Sequence, residues 1–279
     1  MSTVSLRIAA SVATVTLSHP GKFNAMSRAM WRELRAVFED IQQRADLHAV
    51  LIRGEDGHFC AGGDISEYAA FRFHEASLRD FHENDVWGGL QAMLDCDVPI
   101  VALIEGNCMG AGVEIASCCD IRIAADSARF GAPIAKLGFP MAPREAALVA
   151  HAVGELTARE MLLSAAVLDA AEMKQRGFLN QIVPASEAGA AAQARVQRIS
   201  GLAPKAARLN KACFRALAHS QPAQAALDLI AETAYDYAAS AEHREGVMAF
   251  IEKRPPVFSA ASAAASVPAA APALAQTAS

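Results

Sequence analysis

The chain has 279 residues, 53% hydrophobic and 20% charged, with a formal net charge of -5. It can bury a large core, and one main domain with a helical appendage is expected. The acidic balance offers no basic stripe, which excludes nucleic acid or an anionic membrane as the primary partner and leaves a small molecule.

The first residues, "MSTVSLRIAASVATVTLSHP", alternate polar and apolar side chains, with neither a basic leader nor an unbroken apolar stretch, so no secretion signal is read. No apolar run reaches the roughly 18 residues that span a bilayer. The six cysteines lack the short paired spacings that hold zinc. Reduced thiols, a cytoplasmic location and no metal are the expectation.

Val4 to Ile8 and Val12 to Ser18 are β-rich runs split by "AAS", which predicts an N-terminal hairpin. Ser27 opens an amphipathic helix to about Arg44, with Met30, Leu34, Val37, Phe38 and Ile41 on one face. "HAVLIRG", "PIVALIEG" and "CDIRIAA" are short, almost wholly apolar strands joined by helical segments, the pattern of parallel strands covered on both faces. The first half is therefore α/β. From Pro143 the pattern predicts helices at 143–153, 157–164, 169–176, 186–200, 203–218, 221–239 and 241–253, with a short strand in "LNQIVP". The uncharged Ala/Ser/Pro tail over 259–279 cannot form an amphipathic face and is expected to be disordered.

Two glycine turns carry the chemistry. "GHFCAGGDISEY" follows the strand "AVLIRG", and "EGNCMGAGVE" follows "PIVALI". Such turns at the carboxyl ends of parallel strands, each opening a helix, put backbone N–H groups where ligands bind in α/β sheets, and a pair of them can hold an oxyanion. Glu114 sits in an apolar helical stretch, three residues after Ala111 and hence on its face, leaning back toward its N–H. A carboxyl beside an enolate-stabilising site is placed to move a proton at the adjacent carbon. A salt bridge or solvent is the plainer alternative. Asp64 reads equally as a helix cap, His58 as a surface-loop residue, and His19 and His151 have no paired acid. A dinucleotide fold is disfavoured, because the glycines run G-x-x-x-G-x-G and the following helix is short for a crossover.

"HPGKFNAMS", "HFCAGGDISEY", "PIVALIEGNCMGAGVEIASCCDIRIAADSARFGAP" and "HREGVMAFIEKRPPVF" together resemble the enoyl-CoA hydratase/isomerase (crotonase) superfamily over about residues 4 to 258. The resemblance implies the α/β crotonase fold, a spiral of ββα units with a C-terminal helical region. The core would span 1–200 and a helical trimerisation region 201–258. It implies an acyl-CoA substrate, no cofactor beyond the coenzyme A on that substrate, a role in fatty-acid metabolism, and a homotrimer or dimer of trimers. By resemblance, Gly63 and Ala111 supply the oxyanion N–H groups and Glu114 the acid/base. Ala61, Asp64 and Ile65 line the coenzyme path and Lys22 meets its phosphates. Phe250 and Lys253 sit where a neighbouring subunit closes the site.

Hydratases of this family carry a second glutamate immediately after the proline of "GAP", where this chain has Ile134. Arg144 and Glu145, in "PMAPREAA", are the nearby polar residues that could substitute, although Glu145 could instead cap its helix. The missing glutamate keeps open a decarboxylase or isomerase of the same fold and a non-catalytic homologue that only binds coenzyme A esters.

Overall fold

The computed structural model describes residues 2–218 and 234–257. Strands β1 (Thr3–Ala9) and β2 (Val12–Ser18) form the expected antiparallel hairpin, with Thr3 opposite Ser18. Beyond it β3 (Ala49–Gly54), β4 (Ile100–Ile104), β6 (Ile121–Ala125) and β9 (Gln181–Val183) add in parallel, giving the order β1-β2-β3-β4-β6-β9. A second sheet, unforeseen, joins β5 (Asn107–Met109), β7 (Arg129–Gly131) and β8 (Val167–Asp169).

Successive residues of a strand face opposite ways, and here both faces are apolar. Ala49, Leu51, Val101, Leu103 and Ile123 pack under the Ala185–Ser200 helix through its Ala188, Ala192 and Val196. Val50, Ile52, Ile100, Ala102 and Ile104 join the main core on the other side. That core takes the buried stripe of the Arg28–Gln43 helix, Met30, Leu34, Phe38 and Ile41, together with Trp31, which the apolar spacing had not singled out. Each such side chain contributes roughly 1.5–3 kcal/mol when fully buried. Ser27 starts the helix by accepting from the Met30 N–H at 3.2 Å. Cys60, Cys108, Cys118 and Cys119 are buried free thiols whose ionisation burial pushes up, so they behave as small apolar side chains.

Two helix boundaries differ from the sequence reading. The first glycine turn opens a six-residue 3-10 turn, Ile65–Ala70, not an α-helix. The last helix, Ala241–Ile251, ends before Lys253, which sits at φ +55°. Most of the helix expected at 221–239, and the tail at 259–279, lie outside the described residues; the described end of the former, Asp236–Ala239, is a 3-10 turn.

Candidate active site

The two glycine turns are laced together at the carboxyl ends of β3 and β4. The Cys60 N–H donates to the Asn107 carbonyl at 2.8 Å and the Met109 N–H to the Cys60 carbonyl at 2.9 Å. Positive φ at Gly62 (+112°) and Gly110 (+47°) turns the chain at both places, a conformation that L side chains resist. Gly63 needs its missing side chain for a different reason: the Tyr68 hydroxyl occupies the space that a Cβ would take. Among the described residues neither the Gly63 N–H nor the Ala111 N–H, the first of its helix, has a hydrogen-bond acceptor.

Both residues border a cavity of about 780 Å³, a size suited to a small-molecule ligand. Glu114, 6% exposed on the Ala111–Ser117 helix, lines it too, so the three residues read as oxyanion pair and acid/base are brought together. Lys22, Ala61, Asp64 and Ile65 border the same cavity, as do Ile134, Phe250 and Lys253. Asp64 does cap its turn, accepting from the Ser66 N–H, and also binds Lys22 Nζ at 2.7 and 2.9 Å. Burial pushes the Asp64 carboxyl up, but the bonds from Lys22 and Ser66 outweigh it and hold the carboxyl below the ordinary range. His58 is half-buried, its Nδ1 accepting from the Asn107 N–H at 3.2 Å.

Phe250 and Lys253 border the cavity of their own chain. The reason is Gly246, whose Cα rests against the backbone of Leu137 and Gly138 and seats the last helix on the Ile134–Leu137 turn. Gly246→Val is expected to push that helix off, lowering the melting temperature and weakening binding of acetoacetyl-CoA. Titration calorimetry and thermal melts check this, and a variant equal to wild type in both would contradict the docking.

Of the two candidates after Ala142, only Glu145 reaches the cavity; Arg144 turns to Glu83 at 3.2 Å. Glu145 is 3% exposed, and its Oε1 accepts from His82 Nδ1 at 2.7 Å. The direction follows from the other side of the ring. A guanidinium can only donate, so Arg72 Nη1 donates to His82 Nε2 at 3.3 Å and leaves Nδ1 with the proton. Burial, and then the Arg72 charge, holds His82 neutral by pushing its pKa well below the usual value. Glu114 moves the opposite way, raised well above the usual glutamate value by burial and by the charge of Glu145. Burial pushes the Glu145 carboxyl up to about 8.

Tyr68, Arg72 and His82 border the cavity and were not singled out by motif or spacing. The available hint is the density of aromatic residues around them, Phe71, Phe73 and Phe81, in a stretch that also carries charge. A π-helical turn over Phe81–Val86, whose period differs from that of an α-helix, aims His82 inward.

An α/β layer that holds two acceptor-free amides beside a buried carboxyl can stabilise an oxyanion next to a group that exchanges protons. The model of the enoyl-CoA hydratase/isomerase family matches residues 7–261. The chain is 32% identical over 249 residues to the "Probable enoyl-CoA hydratase echA8" of Mycobacterium tuberculosis, covering 88% of this chain and 94% of that one. An enoyl-CoA hydratase/carnitine racemase structure from Magnetospirillum magneticum superposes with a TM-score of 0.76 at 33% identity, covering 93% of this chain and 96% of the other. A methylmalonyl-CoA decarboxylase structure shares the fold at a TM-score of 0.79 and 23% identity, covering 92% and 98%. The chain belongs to the enoyl-CoA hydratase/isomerase family. Among the described residues no helix is long and apolar enough to cross a membrane.

Proposed function

We propose that the chain binds an acyl-CoA thioester and moves a proton at its α-carbon through an enolate held by two backbone amides. One observation carries this reading: the acceptor-free N–H groups of Gly63 and Ala111 border one cavity with the buried carboxyl of Glu114. The thioester oxygen accepts from both amides, and the charge that grows on it as the α-proton leaves meets donors already in place. Glu114 takes that proton, or returns it to the enolate from its protonated form, which burial favours. Glu145, oriented by His82, is the second carboxyl.

Coenzyme A arrives on the substrate, along the edge formed by Lys22, Ala61, Asp64, Ile65, Phe250 and Lys253, and no metal or redox cofactor takes part. The reading includes assembly with further copies of the chain, as a homotrimer or a dimer of trimers.

Ile134 favours a second reading of the reaction. It borders the cavity with an apolar wall, at the position where hydratases of the family carry glutamate. Double-bond isomerisation or decarboxylation of a CoA ester needs the enolate but no activated water. Acetoacetyl-CoA is expected to raise the melting temperature of the protein and NADH to leave it unchanged; stabilisation by NADH alone would overturn the acyl-CoA reading.

A further inference from the structure

Arg72 is 1% exposed and borders the cavity. Its guanidinium lies between the rings of Tyr68, at 4.3 Å, and Phe139, at 4.1 Å. Nη1 donates to His82 and Nη2 to the Tyr237 hydroxyl at 3.2 Å, while the buried Nε–H has no acceptor among the described residues. Among the described residues no carboxylate oxygen comes within 4 Å of it to form an ion pair, and its side-chain hydrogen bonds go to His82 and Tyr237. A guanidinium keeps its charge in proteins, and burying a charge without a partner is costly. The Arg72 charge favours the ionised forms of Glu114, Glu145, Tyr68 and Tyr237, but burial is the larger effect at each and raises all four; burial and the same charge hold His82 neutral and push His243 down to about 3.

The geometry points to a substrate anion as the missing partner: we propose that Arg72 binds a carboxylate carried by the acyl chain, so that the substrate is an acyl-CoA derived from a dicarboxylic acid. This rests on the acyl-CoA reading and narrows it. It also separates the reactions open to the site. A carboxylate clamped by a guanidinium is stabilised in the ground state against leaving as carbon dioxide, so the group that Arg72 holds is one the product retains.

The test compares dissociation constants of the full-length wild type for malonyl-CoA and glutaryl-CoA with those for the neutral esters of matched length, butyryl-CoA and hexanoyl-CoA. A charge-assisted bond in a buried site predicts preference for one carboxylated ester by about tenfold or more. Arg72→Gln is expected to abolish the preference, read as the ratio of the two constants, and Arg72→Lys to retain part of it. Equal binding of carboxylated and neutral esters by wild type, or a preference that survives in Arg72→Gln, would overturn the proposal while leaving the acyl-CoA reading intact. Failure of all four esters to bind would remove both. The wild-type comparison decides even if Arg72→Gln does not fold.

Discussion

Glu114→Gln is expected to lower turnover of any CoA ester that the protein processes by about 10²- to 10⁴-fold, the usual contribution of general acid/base catalysis. The amide keeps the size of the carboxyl but cannot act as a general acid or base, and the Gly63 and Ala111 amides proposed to hold the ligand are untouched. The dissociation constant for acetoacetyl-CoA should therefore stay within a few-fold, and the loss should fall on kcat. Turnover equal to wild type would make Glu114 a buried residue without a catalytic role. Loss of ligand binding would place it in recognition instead.

Glu145→Gln is the second large effect, expected to cost on the order of 10²-fold in kcat if the second carboxyl moves a proton. It carries a stability signature as well. The Glu145 carboxyl is pushed up to about 8, above the roughly 4.3 of an unfolded chain, so the folded state holds its proton more tightly. That stabilisation is complete below about pH 4 and is lost as pH rises toward 8 and beyond. Glu114 acts with the same sign. His82 and His243 act with the opposite one: their folded pKa values lie below the unfolded value, so they destabilise the fold as pH falls through about 6.5. Melting temperatures from pH 5 to pH 9 should show Glu145→Gln close to wild type at the acid end and progressively more stable than wild type at the alkaline end. A difference independent of pH would mean that Glu145 is ionised throughout.

How much of this was legible in the sequence depends on how far apart the cooperating residues lie. The Arg28–Gln43 helix is written locally, in the Ser27 cap and the apolar spacing after it, and the parallel strands are written in their unbroken apolar runs. Glu114 was legible because its relation to Ala111 is a single helical step. Asp64 had two readings, and it fulfils the capping one while also binding Lys22. The Arg72–His82–Glu145 chain was not legible. His82 and Glu145 are 63 residues apart, are joined only by tertiary packing, and belong to no spacing pattern. The second sheet escaped because its strands are three residues long, too short for alternation to register. The placement of Phe250 and Lys253 escaped because it depends on Gly246 meeting the Leu137 backbone, a contact that one glycine in a helix does not announce.

The central claim, an enolate formed beside Glu114, is tested most directly by hydrogen exchange at the substrate's α-carbon. Wild-type protein incubated in D₂O with a saturated ester, butyryl-CoA or glutaryl-CoA, and followed by proton NMR requires neither added water nor a double bond to report on that step. Loss of the α-proton signal at a rate proportional to enzyme, and its abolition in Glu114→Gln, is the predicted result. Tight binding of both esters with no exchange above the enzyme-free rate would contradict it, and would leave a protein that holds coenzyme A esters without acting on them.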